Sequence, residues 1–468
     1  MASTQMQHNI SHRFDSMARN DWATIRRKFQ RFTTPAAACE TLRTYLPGLS
    51  GSAYEISECT ILDAKLKKYL KPSSMHKSTL SVCYQFTVRE ASADMALRHI
   101  FYVKAFLGNR STEAFHHLSH ENEHDQEFRQ HVAHVPEQDM IVWRFPYDPA
   151  LPHLRQLTEL GSVGTLLPTN SLTQLGMSGT PCVLSSHVVN YRPEIRCTNR
   201  YDLYDQKQSC TYQIFGKTFR GGEGQSLSQR QHYFWNRSLA DPDAMAVAHP
   251  LGHTVSTDTV WQLGVPGTPL LQVLDASNYE EHSAATAKGL ASLHTSHITN
   301  LATHAPADHV TEVRKKLVKL SDAVPHLATR CAALANQIER TAPHPSTIPS
   351  RPIHWDFHID QLLTYQGRLV FCDLDELVSG DPLQDLANFI VDLHFRPVDV
   401  QLIRFIAADL YDTYRRLVEW GVSVKRLTWH ARIQFINKAY RHYLRFAPGF
   451  EQAVEQIIQM AEKELSIW

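Results

Sequence analysis

Two periodicities divide the chain. In the first 270 residues, apolar positions cluster in short aromatic and β-branched runs, whereas from 280 onward they recur every three or four positions. The first pattern predicts strands and the second packed helices. STLSVCYQFTV (78–88) and RHIFYVKAFLG (98–108) flank the polar turn REASAD and read as a hairpin. A polar helix over 111–131 and a strand in MIVWRFP follow, and residues 1–50 look mostly helical. VVNYRPEIRCTNRYDLYD and CTYQIFGKTFRGG form a second β block. Later, EEHSAATAKGLASLHTSH and HVTEVRKKLVKLSDAV have helical spacing, and Pro325 should end the second of them. Three amphipathic helices close the chain, so the fold class expected is α+β, β-rich first and helical later.

At 468 residues the chain exceeds one usual compact core. A Gly-, Ser-, Thr- and Pro-rich stretch at 157–185 reads as a loose connection. The expected division is an N-terminal α+β extension (1–155), a linker (156–185), a β-rich lobe (186–270) and a helical lobe (271–468). The two β blocks share details: Lys71-Pro72 and Arg192-Pro193 precede strands, and YVKAF parallels FGKTF. Two such parallels leave open whether the extension is a degenerate lobe repeat or an addition that caps the substrate cleft or serves assembly.

Lys+Arg and Asp+Glu are equal at 47 each, which argues against a general nucleic-acid binder. No apolar run suits a membrane span, and the first residues lack the pattern of a secretion signal. The eight cysteines are scattered without a C-x-x-C pair, most in apolar contexts that suggest reduced, buried thiols. A cytoplasmic protein without nucleic-acid or membrane partners is expected.

The chemistry concentrates in IHWDFHIDQLL (353–363) and FCDLDEL (371–377). The turn Gln366-Gly367 between them predicts a hairpin that brings Asp356, Gln361 and Asp373 to one end. One carboxylate there can take a proton from a hydroxyl, while another and an amide oxygen suit Mg²⁺ better than zinc. His354 is expected to support the loop rather than react. His116, His120 and His124 share one helical face, but in so polar a stretch they read as a solvated surface.

The series H-x-D-x-H-x-x-Q-L-L, C-D-L-D-E and G-D-P-L-Q-D-L-A-N-F, over 354–389, resembles the aminoglycoside phosphotransferase and choline kinase-like superfamily. The resemblance implies a protein kinase-like two-lobe fold, with a β-rich N-lobe, a helical C-lobe and here an extra N-terminal segment. It implies ATP and Mg²⁺ as cofactors and a small-molecule hydroxyl as phosphoryl acceptor. Asp356 would be the catalytic base, and Asp373 would bind Mg²⁺ with help from Asp375. Gln361 stands where the family usually has a metal-binding Asn. Asp381 and Asp385 would anchor the turn and the next helix.

Phosphoryl transfer also needs a cation on the nucleotide phosphates. Lys217 is favoured over Lys104 because its separation from Asp356 fits one small lobe and a hinge. QLGVPGTPL (262–270) resembles the adenine-binding hinge of the same superfamily. The acidic partner of Lys217 is not evident, Glu223 being the nearest acid after the strand. FGKTFRGGEG is not a Walker loop, since Thr211 stands where Gly is required. The residues leave the acceptor open, with Glu451 and Glu455 available for a cationic aminoglycoside and Trp429, Tyr440 and Tyr443 for an amino alcohol. The competing function is a catalytically weak, nucleotide-binding regulatory protein.

Overall fold

The computed structural model describes residues 22–49, 54–90, 96–122, 125, 127–177 and 181–463. After helix α1 (Pro35–Leu42) comes a five-stranded antiparallel sheet of β1 (Tyr54–Lys67), β2 (Thr79–Glu90), β3 (Ala96–Phe106), β4 (Val132–Val135) and β5 (Met140–Arg144). Its strand order is β1-β2-β3-β5-β4. The expected polar helix is shorter than 111–131: α2 spans Ser111–Glu121, and a separate turn covers Phe128–His131. His116 and His120 lie on α2, while His124 is outside the described residues.

The second β block holds β6 (Cys182–Arg192), β7 (Arg196–Asp205) and β8 (Cys210–Phe219), followed by helix α3 (Gly224–Ala240). After the short β9 (Ala246–Val247), which joins another sheet, β10 (Pro250–Thr254) and β11 (Thr259–Leu263) complete it. Its order, β6-β7-β8-β11-β10, is that of the first sheet strand for strand. The likeness extends to the turn before each last strand, where Asp139 and Asp258 adopt left-handed backbone, at φ 50° and 45°. Asp139 accepts the Ser111 amide at the start of α2 (2.8 Å), and Asp258 accepts the Gly224 amide at the start of α3 (3.1 Å). A carboxylate there satisfies helix N–H groups that have no partner within the helix. Lys104 and Lys217 hold equivalent places, each two residues before the last Phe of its sheet's third strand.

The stretch expected to be loose is packed instead. Residues 154–158, 160–166 and 169–174 are short helices. Leu154, Leu157, Val163 and Leu167 are buried in the same apolar cluster as Tyr201, Ile214 and Trp261 of the second sheet. The leucines outweigh the turn-forming residues around them. The buried-thiol expectation also needs correction, because Cys182 is exposed while Cys83, Cys197 and Cys331 are buried.

The helical lobe comprises α4 (Tyr279–His294), α5 (Pro306–Ala323), α6 (Ala328–Arg340), α7 (Leu383–Leu393), α8 (Val400–Leu417), α9 (Val424–Arg445) and α10 (Phe450–Glu462). Among the described residues no helix is long and apolar enough to cross a membrane. A small sheet of β12 (Thr268–Pro269), β14 (Leu362–Tyr365), β15 (Arg368–Phe371) and β9 sits within this region. β13 (Arg351–Ile353) pairs with β16 (Val378–Gly380) beside it. The architecture is α+β with a β-rich lobe, a helical lobe and an added N-terminal α+β segment, as the sequence predicts.

The first sheet docks on the far end of the helical lobe. Trp22 lies among the rings of Tyr443, Phe446 and Phe450, 6.1–6.4 Å between centroids, and its indole N–H donates to Asp322 at 2.9 Å. Thr33 Oγ1 donates to the Phe446 carbonyl at 2.8 Å, and the buried Lys68 pairs with Asp322. Trp22→Ala should therefore cost about 3–5 kcal/mol of stability. Urea unfolding followed by circular dichroism should show the lower midpoint, and an unchanged midpoint would mean that this contact does not hold the segment in place.

Candidate functional site: two carboxylates on one lysine beside an anchored loop

The β14–β15 hairpin turns at Gln366 and Gly367, both at positive φ (49° and 74°), the pair of conformations that a tight two-residue turn requires. Its open end pairs Leu362 with Phe371, and the Cys372 amide donates to the Gln361 carbonyl at 2.9 Å. Asp373 follows in left-handed backbone (φ 64°) and opens a turn of 3-10 helix that carries Asp375. On the other side, His354 Nε2 lies 3.0 Å from the Cys372 carbonyl oxygen. That contact ties the loop before Asp356 to the strand that delivers Asp373.

Asp385 fixes the same loop from beneath. Its carboxylate accepts the His354 amide at 2.6 Å and the Trp355 amide at 2.9 Å, and it lies 3.1 Å from His294 Nε2. Trp355 has φ 75°, a strained conformation for a bulky residue, which those hydrogen bonds over-determine. Asp381, fully internal, accepts the Leu383 amide at 3.1 Å, forms an ion pair with Arg426 (2.8 Å) and lies 3.0 Å from His430 Nε2. Asp356 itself is paired with Arg441 of α9 at 2.9 Å.

Lys217 points from β8 to the far side of the hairpin. Its Nζ is 2.5 Å from a carboxylate oxygen of Asp373 and 2.5 Å from one of Asp375. Arg196 adds a second cation at 2.5 Å from Asp375, and Arg230 of α3 donates to the Asp375 carbonyl at 3.0 Å. Lys104 takes no part, since both oxygens of Glu194, in the β6–β7 turn, lie 3.0 Å from its Nζ. Of the two acids, burial raises Asp375 to about 6, with Asp373 adding to the rise and Lys217 and Arg196 opposing it. Burial also works to raise Asp373, but Lys217, Asp375 and Arg196 together hold it below the usual carboxylate range.

The donor set fits a hard divalent cation. Asp373 and Asp375 already converge on one positive charge, the ammonium of Lys217. Among the described residues no three His, Cys, Asp or Glu side chains gather as a metal cage. Mg²⁺ commonly takes one or two carboxylates and fills its other positions with phosphate oxygens and water. Gln361, the third ligand candidate, is buried, and its Oε1 accepts the His358 amide at 3.3 Å. A bond that long is readily exchanged.

Sequence reasoning missed Arg196, Arg230 and Arg441, which lie far along the chain from the acids they meet. It also looked for an acid on α3. Glu223 stands at the N-cap position of that helix without a side-chain capping bond, and among the buried residues of α3 is Gln231, whose amide donates to Gln262 Oε1 at 2.8 Å. Of the acceptor candidates, Glu451 pairs with Arg26, Glu455 lies by His326 and Arg330, and Trp429 and Tyr443 are core residues. Tyr440 alone of these lines the cavity of about 280 Å³ that holds Asp356.

His309 lies in the wall of that cavity, 5.4 Å from the Trp355 ring. Burial first, then His430, His304 and Lys316, push its pKa down to about 3, with Asp381 opposing. The folded protein keeps His309 neutral, while the unfolded chain protonates it below about 6.5. Its contribution is complete above that value and is lost as the pH falls toward 3, at up to about 1.4 kcal/mol per pH unit. His309→Gln should flatten the stability profile between pH 7 and 5 in urea titrations. An equal slope in both proteins would assign the acid sensitivity elsewhere.

Residues 232–420 match the family described as the phosphotransferase enzyme family. No curated protein shows significant sequence similarity to the chain. Among solved structures it is similar to a choline/ethanolamine kinase family protein from Mesorhizobium loti, at 12% identity, covering 66% of this chain and 94% of that one with a TM-score of 0.43. It is also similar to a spectinomycin phosphotransferase in complex with ADP and spectinomycin (11%, 62% and 97%, 0.42). A choline kinase from Streptococcus pneumoniae is a third (14%, 62% and 97%, 0.41). The family match begins after Lys217 and contains Asp356, Gln361, Asp373 and Asp375. That segment is thus similar to the phosphotransferase enzyme family, in agreement with the resemblance its motifs carry.

Proposed function

We propose that the protein transfers the γ-phosphoryl group of ATP to a hydroxyl of a small molecule of the aminoglycoside, amino alcohol or sugar class. The observation that carries this reading is the convergence of Lys217, Asp373 and Asp375 beside a loop whose Asp356 opens into a cavity. Lys217 would hold the nucleotide phosphates, and residues 262–270 would meet the adenine. Asp373 and Asp375, with Gln361, would hold Mg²⁺, which supplies neutralisation of the phosphate charge. The scattered thiols suit a cytoplasmic setting. We take residues 1–155 as a degenerate copy of the nucleotide lobe at 186–270, a reading that the shared strand order supports.

In the reaction, Asp356 accepts the proton of the acceptor hydroxyl as its oxygen bonds to the γ-phosphorus. The bond from that phosphorus to the β,γ-bridging oxygen breaks, and ADP leaves with the electron pair. Catalysis rests on positioning and charge neutralisation. The buried donors to Asp385 keep the loop in place without reorganisation during the step.

Three variants test the assignment. Lys217→Ala should weaken ATP binding about tenfold or more, since a charge-assisted contact to phosphate is lost. Lys104→Ala should leave ATP affinity at the wild-type value. Asp356→Asn should still bind ATP while turnover falls about 10²–10⁴-fold, because a base acts mainly in the transition state. Calorimetry with Mg-ATP and a coupled ADP assay read both quantities. Full turnover in Asp356→Asn would refute the base assignment, and ATP binding by the wild type without turnover on any acceptor would favour a regulatory protein.

A further inference from the structure

A cavity of about 890 Å³ lies where the first sheet, the β6–β7 turn and the end of α9 meet. Its wall carries nine lysines and arginines against two carboxylates, in a chain whose net charge is zero. The first sheet and its loops contribute Lys65, Lys67 and Lys77, the second sheet contributes Arg192 and Arg220, and α9 contributes Arg445. Among the described residues none of these six has a carboxylate within ion-pair distance. One of the two acids, Glu194, is already matched by Lys104 at 3.0 Å. Like charges brought together from three separate parts of the fold repel one another, so the arrangement favours a polyanion that lowers their energy.

The cavity adjoins the smaller one that holds Asp356. Arg441 and Leu444 line both it and the smaller cavity that holds Asp356. Neither Lys217, Asp373 nor residues 262–270 line it, so it is separate from the proposed nucleotide site. A ligand anchored on the basic walls could therefore extend a hydroxyl past Arg441 to Asp356. Such walls repel cationic aminoglycosides and amino alcohols.

We propose that the phosphoryl acceptor is a small hydroxyl compound that already bears phosphate groups, held by this basic cavity with its free hydroxyl directed to Asp356. The inference rests on the phosphotransferase reading and narrows its substrate class to the sugar and polyol side. Arg441 then has two partners, Asp356 before the acceptor arrives and an anionic group of the acceptor afterwards. The acceptor hydroxyl loses its proton to Asp356, gains the γ-phosphoryl of ATP and leaves as a more highly phosphorylated product, with ADP as the second product.

Inositol hexakisphosphate serves as a binding probe, titrated calorimetrically into the full-length protein with saturating Mg-AMP-PNP to close the nucleotide site. The wild type should bind it. Lys65→Glu/Lys67→Glu and, from other walls, Lys77→Glu/Arg445→Glu should each bind at least about tenfold more weakly. Both double variants should keep the wild-type melting temperature and AMP-PNP affinity. In turnover assays, glucose 6-phosphate and glycerol 3-phosphate should be accepted in preference to glucose, choline and kanamycin. Absence of hexakisphosphate binding, or equal binding in both double variants, overturns the inference. So does phosphorylation of kanamycin, choline or glucose without phosphorylation of the anionic compounds, an outcome that leaves the kinase reading intact. Charge-dependent hexakisphosphate binding in a protein that binds no AMP-PNP would sink the kinase reading, and the acceptor role with it, leaving only an anion site.

Discussion

A single carboxylate, that of Asp385, holds the centre of this molecule together. It has no exposed surface, and burying an acid is costly unless donors surround it. Here the donors are two consecutive backbone amides, of His354 and Trp355, with His294 of α4 beside them. His294 in turn lies 2.7 Å from the Tyr414 hydroxyl of α8 through its other nitrogen. Three helices and the loop thus share one polar network inside an apolar lobe. Trp355 can keep its unfavourable backbone angle because this network leaves the loop no alternative arrangement.

How legible the site was in the sequence depended on distance along the chain. His354, Asp356, Gln361 and Asp373 lie on one hairpin and its flanks, so local turn chemistry and apolar alternation were enough to expect them together. The Gln366-Gly367 turn carried that expectation, and the register from Leu362–Phe371 to Tyr365–Arg368 agrees with it. Arg441 meets Asp356 only because α9 returns past the loop, and no spacing rule announces such a contact. Arg196 is similar, since its role follows from the β6–β7 turn reaching the helical lobe. The residues at 157–174 misled for another reason: their Gly, Ser and Thr content suggested a loose connection, but a few leucines found the uncovered face of the second sheet.

The shared strand order of the two sheets gives the N-terminal segment a physical context. Both sheets bring a lysine to the same register position, yet the lysines meet different partners. Lys217 faces the acids of the helical lobe, whereas Lys104 faces the turn of the neighbouring sheet. The N-terminal segment that carries the first sheet rests on the helical lobe through Trp22, Phe446 and Phe450. Its position, rather than its own chemistry, brings basic side chains to the approach to Asp356.

The ion pair between Arg441 and Asp356 bears on a problem common to proteins that hold a reactive phosphoanhydride, the idle loss of ATP to water. With the Arg441 guanidinium 2.9 Å away, one oxygen of the Asp356 carboxylate already has a hydrogen-bond donor. Water carries no charge with which to draw the guanidinium away from that carboxylate. On the proposed function, an anionic acceptor would compete for Arg441 and free the carboxylate as it arrives. The same contact that keeps the loop quiet in the resting protein would thus make the consumption of ATP conditional on cargo.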